Sequence, residues 1–370
     1  MSQRQRACTA YIAATLVLGC RGILGLEDKE LAPADAGAVP LHCDTGFEDC
    51  NESSIDGCEA ELARDGENCG RCGRSCAGRT CASGMCDPEV VVADDIHSNA
   101  YQLAQDDQRL YWADRRPVSA IRAVGKNDGR MATLCSTAPI EPSGCAVHGD
   151  WVYWLGLFGG EVERCPVSGG ESTPLATAAP YINTVSVDDT GIYFANHDDD
   201  MGFIGRVPLY GGEVVELAAQ PGSVLPVLDN TSVYWFAANW VWRVAKNGGQ
   251  ATALIGVSSL VLDFAIDDAS VYFVTESGEL RRVDKFAGAP SEVLATGLGS
   301  GPAVAVDASR LYWIDKDAGE LLVADKQGKN PVVLADNIDP AMETVAGQLL
   351  LDATFVYWFG IGGWIYRTPK

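Results

Sequence analysis

An aromatic pair that returns about every forty residues constrains this chain more than any other feature. Tyr111-Trp112, Tyr153-Trp154, Tyr193-Phe194, Tyr234-Trp235, Tyr272-Phe273, Tyr312-Trp313 and Tyr357-Trp358 are separated by steps of 42, 40, 41, 38, 40 and 45 residues. Each pair follows an apolar run and an aspartate-bearing turn. A period near 40 built from short apolar runs and turn residues predicts a β-propeller, because one four-stranded blade uses about 40 to 45 residues. The expected fold class is all-β.

The repeat divides into four strands. Strand a is an apolar run, as in Phe264-Ala265-Ile266 or Leu349-Leu350-Leu351, buried near the axis and so free of alternation. The turn after it carries Asp106, Asp150, Asp188, Asp229, Asp267, Asp307 or Asp352, whose carboxylate can bond the N–H groups of its own turn. Turn chemistry, rather than catalysis, is the expected role of these acids. Strand b holds the aromatic pair. Strand c is expected to end in an apolar-arginine phrase at Arg122, Arg164, Arg206, Arg243, Arg281 and Arg367, with Leu322 or Val323 in the sixth repeat. Gly169-Gly170, Gly211-Gly212 and Gly248-Gly249 supply positive φ for tight hairpins into the outer strand d.

The seventh repeat stops at Lys370, after its strand c. Glu89-Val90-Val91-Val92-Ala93, followed by Asp94, matches the outer-strand phrase Pro331-Val332-Val333-Leu334-Ala335-Asp336. The economical expectation is therefore seven blades over 88–370, closed by this N-terminal strand joining the last blade and leaving no exposed edge. Six blades plus a partial sheet is the alternative. Tyr111-Trp112-Ala113-Asp114 and Tyr312-Trp313-Ile314-Asp315 resemble the YWTD repeat of low-density-lipoprotein-receptor type propellers. The aspartate, Tyr-Trp and Gly-Gly phrases over 89–370 also resemble uncharacterised bacterial propellers, a resemblance that implies the fold and a binding habit.

Ahead of the repeats, Arg4 and Arg6 precede an apolar stretch from Ala7 to Leu18, too short to span a bilayer as a stable helix, which reads as an export signal over 1–19. It ends in Val17-Leu18-Gly19-Cys20, which resembles the lipobox of bacterial lipoproteins. The resemblance implies cleavage before Cys20, acylation of its thiol and attachment to a membrane without a spanning helix; Arg21 after it resembles outer-membrane rather than inner-membrane members. An ordinary signal peptide that leaves Cys20 as a spare thiol is the alternative. Residues 20–41 read as a tether.

Eight cysteines, Cys43, Cys50, Cys58, Cys69, Cys72, Cys76, Cys81 and Cys86, crowd into 44 residues of a module over 42–87. In an exported chain such a cluster is a disulfide framework whose pairing cannot be read from spacing. Zinc at Cys69, Cys72, Cys76 and Cys81 is the rival, with only His42 nearby to add a nitrogen. Calcium among Asp44, Asp49, Asn51, Asp56 and Glu59 competes with solvated turns, since the calcium-loop spacing is not met. Asp49 to Glu59 and Asn68-Cys69-Gly70-Arg71-Cys72-Gly73 resemble a cysteine-rich repeat of myxobacterial surface and secreted proteins. A stiff spacer is the expected role. Within the propeller, Cys135 and Cys145 are expected to pair across a ten-residue link, leaving Cys165 free, with Cys145 to Cys165 as the alternative.

The formal charge of −23 becomes −25 once Arg4 and Arg6 leave with the signal, 25 bases against 50 acids, and repels phosphate backbones, so nucleic acid is not an expected partner. The search for chemistry turns to the face where b–c and d–a loops emerge. Its candidate residues are Asp114, Arg115, Arg116, His197, Asp198, Asp200, Asn239, Trp240, Asp315, Lys316 and Trp364. Aromatic faces beside hydrogen-bonding side chains suit a sugar or an extended peptide. His197-Asp198-Asp199-Asp200 is the one stretch that could hold a metal, but four consecutive residues seldom converge on one ion, so no metal is expected. The four histidines form no Ser-His-Asp spacing, and no phosphate loop is present, so neither catalysis nor a cofactor is expected. The expected protein is a monomeric, lipid-anchored envelope component that binds a protein, peptide or glycan. A purely structural envelope protein and a propeller hydrolase or lyase are the alternatives.

Overall fold

Seven antiparallel sheets of four strands each build the computed structural model, every sheet in the order a-b-c-d along the chain except the last. The structure describes residues 43–53, 55, 57–92, 102–115, 118–196, 202–220, 223–237, 239–286, 288, 290–299, 303–336, 338, 349–360 and 364–370, and among these there is no helix. Cys20, Arg116, His197, Asp198 and Asp200 lie outside the described residues. In the seventh sheet Leu350–Leu351, Phe355–Phe359 and Ile365–Pro369 are joined by Glu89–Val92 as outer strand, with Ile365 opposite Val92 and Arg367 opposite Glu89. Arg367 clamps this seam with two hydrogen bonds to the Glu89 carboxylate, at 2.8 and 2.9 Å. The ring is closed as the repeat predicts.

Why an aromatic pair recurs follows from the two-residue period of a strand. Successive side chains of strand b point to opposite faces, and in a ring of blades both faces are buried. Tyr153 packs with Phe194 between blades 2 and 3, while Trp154 packs with Tyr111 between blades 1 and 2. The same division holds around the ring. The tyrosine looks to the next blade and the second aromatic to the previous one, giving seven apolar clusters, one per interface.

The turn aspartates do more than shape turns. In blade 4, Asp229 Oδ1 accepts the N–H groups of Thr231 and Ser232 at 2.9 and 2.8 Å, while Oδ2 accepts the Tyr234 hydroxyl at 2.9 Å and Lys285 Nζ of blade 5 at 2.8 Å. Lys285 also lies over the Tyr234 ring, 4.7 Å from its centroid. Lys246 with Asp188, Lys326 with Asp267, Lys370 with Asp307 and Lys126 with Asp352 repeat the pairing, always from one blade back to the blade before it. Burial alone would raise these carboxyls, yet the lysine, backbone and tyrosine donors outweigh it and hold Asp188, Asp229, Asp267, Asp307 and Asp352 below the usual carboxylate range. Blade 2 carries His148 where the others carry this aspartate, and its imidazole lies 3.0 Å from Asp189 instead.

The strand-c arginines complete the ring, with two corrections. Arg243 and Arg367 donate to the carbonyls of Lys285 and Lys126 in the following blade, and Arg164 to that of Leu209. Arg122 and Arg281 do not belong to the set. Arg122 stands opposite Trp112, not Tyr111, and Arg281 opposite Phe273, so each points to the previous blade; Arg282 is the equivalent residue in blade 5. A shift of one residue moves a side chain to the other face of the sheet.

The cysteine pairing expected in the propeller is also corrected. Cys135 on Met131–Ser136, the outer strand of blade 1, is bonded to Cys165 on Glu161–Pro166, strand c of blade 2, with Cα atoms 6.4 Å apart, and Cys145 is free and buried. The link from Cys135 to Cys145 is short in sequence but runs from the rim to the inner strand of the next blade. Neighbouring blades meet at matching radii, so an outer strand faces the outer half of its neighbour. The bridge joins the interface where Val167 replaces the lysine and Ala123 the arginine.

In the module Cys43 pairs with Cys58, Cys50 with Cys72, Cys69 with Cys81 and Cys76 with Cys86. Bridged sulfurs are not thiolates, so the zinc alternative loses its ligands. Of the acidic calcium candidates, Asp49 and Asn51 accept the Ser53 N–H and Glu59 accepts those of Cys50 and Asn51, which is turn chemistry. The module does not stand apart as a spacer: Cys43–Lys370 form one compact unit. Arg74, buried, donates to the Leu334 carbonyl on the outer strand of blade 6 at 2.8 Å, and burial lowers its guanidinium to about 10.

Three measurements test this framework. Lys285→Ala lowers stability at neutral pH, and the double-mutant cycle with Asp229→Asn gives a coupling of about 1 kcal/mol by denaturant unfolding. Because Asp188, Asp229, Asp267, Asp307 and Asp352 titrate lower when folded than unfolded, their contribution is present above about pH 4 and is lost as the pH falls below it, with Asp229→Asn flattening that loss. Peptide mapping without reductant finds Cys135 joined to Cys165, and Cys145 resists alkylation until the protein is unfolded.

Candidate functional site

Up-and-down strand order places the a–b and c–d turns, with their Asp–Lys pairs, on one face and the b–c and d–a loops on the other. The axis offers little chemistry. A cavity of about 330 Å³ lies among the inner strands, lined by Leu103, Ala146, Val185, Val187 and Leu228 with Gln102, Gln105 and Ser186 as its polar groups. All three are engaged: Gln102 exchanges two hydrogen bonds with the Val185 backbone, Gln105 donates to the Leu351 carbonyl and Ser186 to that of Pro226. These contacts stitch together inner strands that share no ladder.

Of the loop-face residues singled out by sequence, most of those described serve local structure. Asp114 is buried at the end of Arg109–Asp114 and pairs with Arg122 at 2.7 Å, so it is not a surface group. Arg115 Nε donates to the Pro142 carbonyl of blade 2 at 2.8 Å. Asn239 Nδ2 donates to the Val257 carbonyl at 2.7 Å, and Asp315 accepts the Ala318 N–H at 2.9 Å. The Lys316 N–H bonds the Leu298 carbonyl. Trp240 and Trp364 remain turned outward, 44% and 38% exposed.

These two tryptophans occupy the same place in their blades. Each opens or immediately precedes strand c, Trp240 opposite Ala237 and Trp364 bonded through its carbonyl to the Gly360 N–H. The equivalent residues are Phe203 in blade 3, Glu161, Glu279 and Glu320 in blades 2, 5 and 6, and Ala120 in blade 1. Behind each tryptophan stands a ladder of rings. Trp240 tilts against Trp242 at 6.3 Å between centroids, and Trp242 stacks on the buried Trp235 at 6.4 Å and 15°. In blade 7, Trp364 tilts against Tyr366 at 6.2 Å, and Tyr366 stacks on Trp358 at 5.8 Å and 14°.

Gly256, opposite Trp240 on the outer strand, makes the first ladder possible. A Cβ there would come within 2.7 to 2.8 Å of three indole atoms, so the ring lies flat over the glycine backbone and shows its other side to solvent. The alternation Trp240-Val241-Trp242 and Trp364-Ile365-Tyr366 is the sequence sign of the ladders. A third aromatic pair, Phe158 in the b–c loop of blade 2 and Tyr181 in the following d–a loop, meets edge to face at 6.4 Å. Tyr181 sits at φ 65°, and nothing in its local sequence marks it.

Among the described residues no histidine reaches the loop face, since His148 lies on the turn face. Asp263, on the inner strand Val261–Ile266, is buried and accepts the N–H groups of Phe264 at 2.9 Å and of Val304 in blade 6 at 3.0 Å; burial pushes its carboxyl up to about 7. A charged residue inside an apolar inner strand is its sequence signal. With these two backbone donors it acts as a staple between blades.

No family model and no curated protein matches the chain. Among solved structures, the computationally designed Ika8 protein is similar at 14% identity and TM-score 0.55, covering 79% of this chain and 89% of its own. The nidogen/laminin complex contains a chain similar at 16% identity and TM-score 0.47, covering 61% and 93%, and BamB from Moraxella catarrhalis is similar at 11% and 0.49, covering 73% and 83%. At 14% identity the likeness to the Ika8 protein shows the fold alone.

Proposed function

We propose that this chain is an exported recognition protein, held to an outer membrane or cell surface by acyl chains on Cys20 and binding a partner without chemistry through the rim of its loop face. The observation that carries the reading is the pair of equivalent ring ladders ending in exposed Trp240 and Trp364. Half-exposed indoles backed by stacked rings are held in place before binding, so little side-chain entropy is lost when a ligand covers them. Five disulfides support an oxidising, extracytoplasmic location. The axial cavity supports a binding rather than a catalytic reading, because its polar groups are committed to backbone partners. Both ring ladders are built from residues of one chain, which supports a monomer.

Capture of an envelope fraction on immobilised protein is expected to fall about tenfold with Trp240→Ala or Trp364→Ala while the melting temperature stays within a few degrees. Unchanged capture with both replaced removes the rim from consideration and leaves a structural role. In fractionated cells the wild-type chain is expected with the membranes and Cys20→Ser in the soluble fraction.

A further inference from the structure

We infer that Trp240 and Trp364 are stacking subsites for the pyranose rings of an uncharged glycan. The inference rests on the rim reading above and names its ligand class. The first ground is shape. The indole of Trp240 lies flat on Gly256, so what it offers is a broad, fixed, apolar plane and not an edge or a pocket. A pyranose presents a matching plane of C–H groups, whereas a folded partner needs a larger contiguous apolar surface to exclude water.

The second ground is local neutrality in an acidic protein. The chain carries −23, and most of its b–c loops contain charge, as in Asp315-Lys316-Asp317. In blade 4, however, Ala237-Ala238-Asn239 before Trp240 and Gly256-Val257-Ser258-Ser259-Leu260 after the outer strand contain none; in blade 7 Phe359-Gly360-Ile361-Gly362-Gly363 before Trp364 is also uncharged, while the segment after the outer strand carries Asp94 and Asp95. The polar residues of these blade 4 segments are amide and hydroxyl, Asn239, Ser258 and Ser259, with Ser258 exposed. Neutral donors and acceptors beside an aromatic plane serve hydroxyl-rich, uncharged ligands. A cationic peptide would call for carboxylates at the same spot, and the overall charge repels polyanions.

The third ground is repetition. Blades 4 and 7 hold the same three-ring ladder on separate arcs of one ring. One ladder suits a mono- or disaccharide weakly, and two on a rigid frame give a polymer an avidity that neither supplies alone.

The full chain is therefore to be tested on insoluble chitin and cellulose, with chitobiose and cellobiose as soluble competitors, and on heparin and a proline-rich peptide. The expected result is retention on a neutral polysaccharide, insensitive to salt and displaced by its own disaccharide. Trp240→Ala or Trp364→Ala weakens retention about tenfold, the double variant loses it, and Trp240→Phe keeps most of it. No retention on either neutral polysaccharide, retention unchanged in the double variant, or preference for heparin or the peptide overturns the inference. If the tryptophan variants lose the envelope fraction while neither polysaccharide binds, the rim reading stands and the glycan assignment falls.

Discussion

Inner strands of neighbouring blades share no hydrogen-bonded ladder, so the ring depends on what crosses between sheets. The repeated unit that crosses is an aspartate, a tyrosine and the next blade's lysine. One carboxylate oxygen closes the turn and the other receives both the phenol and the ammonium, as at Asp229. Strand-c arginines run the other way, from one blade to the backbone of the next. Every interface also carries an apolar wedge, made possible because the two aromatics of strand b point in opposite directions. Where the polar crossing is missing, something else stands in. The bridge of Cys135 and Cys165 joins blades 1 and 2, and Arg109 donates to the Val167 carbonyl there at 2.9 Å.

Blade 6 offers Val323 where most blades have the strand-c arginine, opposite Tyr312. The cysteine-rich module brings Arg71 close enough to Tyr312, Asp307 and Arg310 for their charges to act on it. Arg74 beside it reaches the outer strand of the same blade. The module is thus part of the propeller's packing, and its four bridges fix the loops that carry these guanidinium groups.

Much of this was legible from sequence because it is local. The aromatic period, the Asp-bearing turns and the match of Glu89–Val92 to Val332–Ala335 each lie within a few residues, and the closing seam followed from them. The Lys–Asp pairs were not legible, since four of them join partners 56 to 63 residues apart, well beyond one repeat, and the fifth, Lys126 with Asp352, spans 226. Arg281 and Arg282 look alike in sequence until the register, with Arg282 opposite Tyr272, tells them apart. Cys135 and Cys165 were missed because the chain moves from rim to axis between blades. At the site, the exposed tryptophans stood out by residue type. The polar candidates beside them could not be distinguished from groups such as Asp114, which is buried and paired with Arg122.

The seam in blade 7 has a mechanical side. The strand that completes the ring is also the first propeller strand along the chain, so a pull passed along the backbone from the module acts on Glu89–Val92. Force along a paired strand loads its hydrogen bonds together, whereas force across it opens them one at a time. The buried Arg74 contact diverts part of such a load into blade 6 before it reaches the seam, and the two-point grip of Arg367 on Glu89 holds the last pair in register. A toroid pulled by its own closing strand would otherwise be easiest to unzip at that strand.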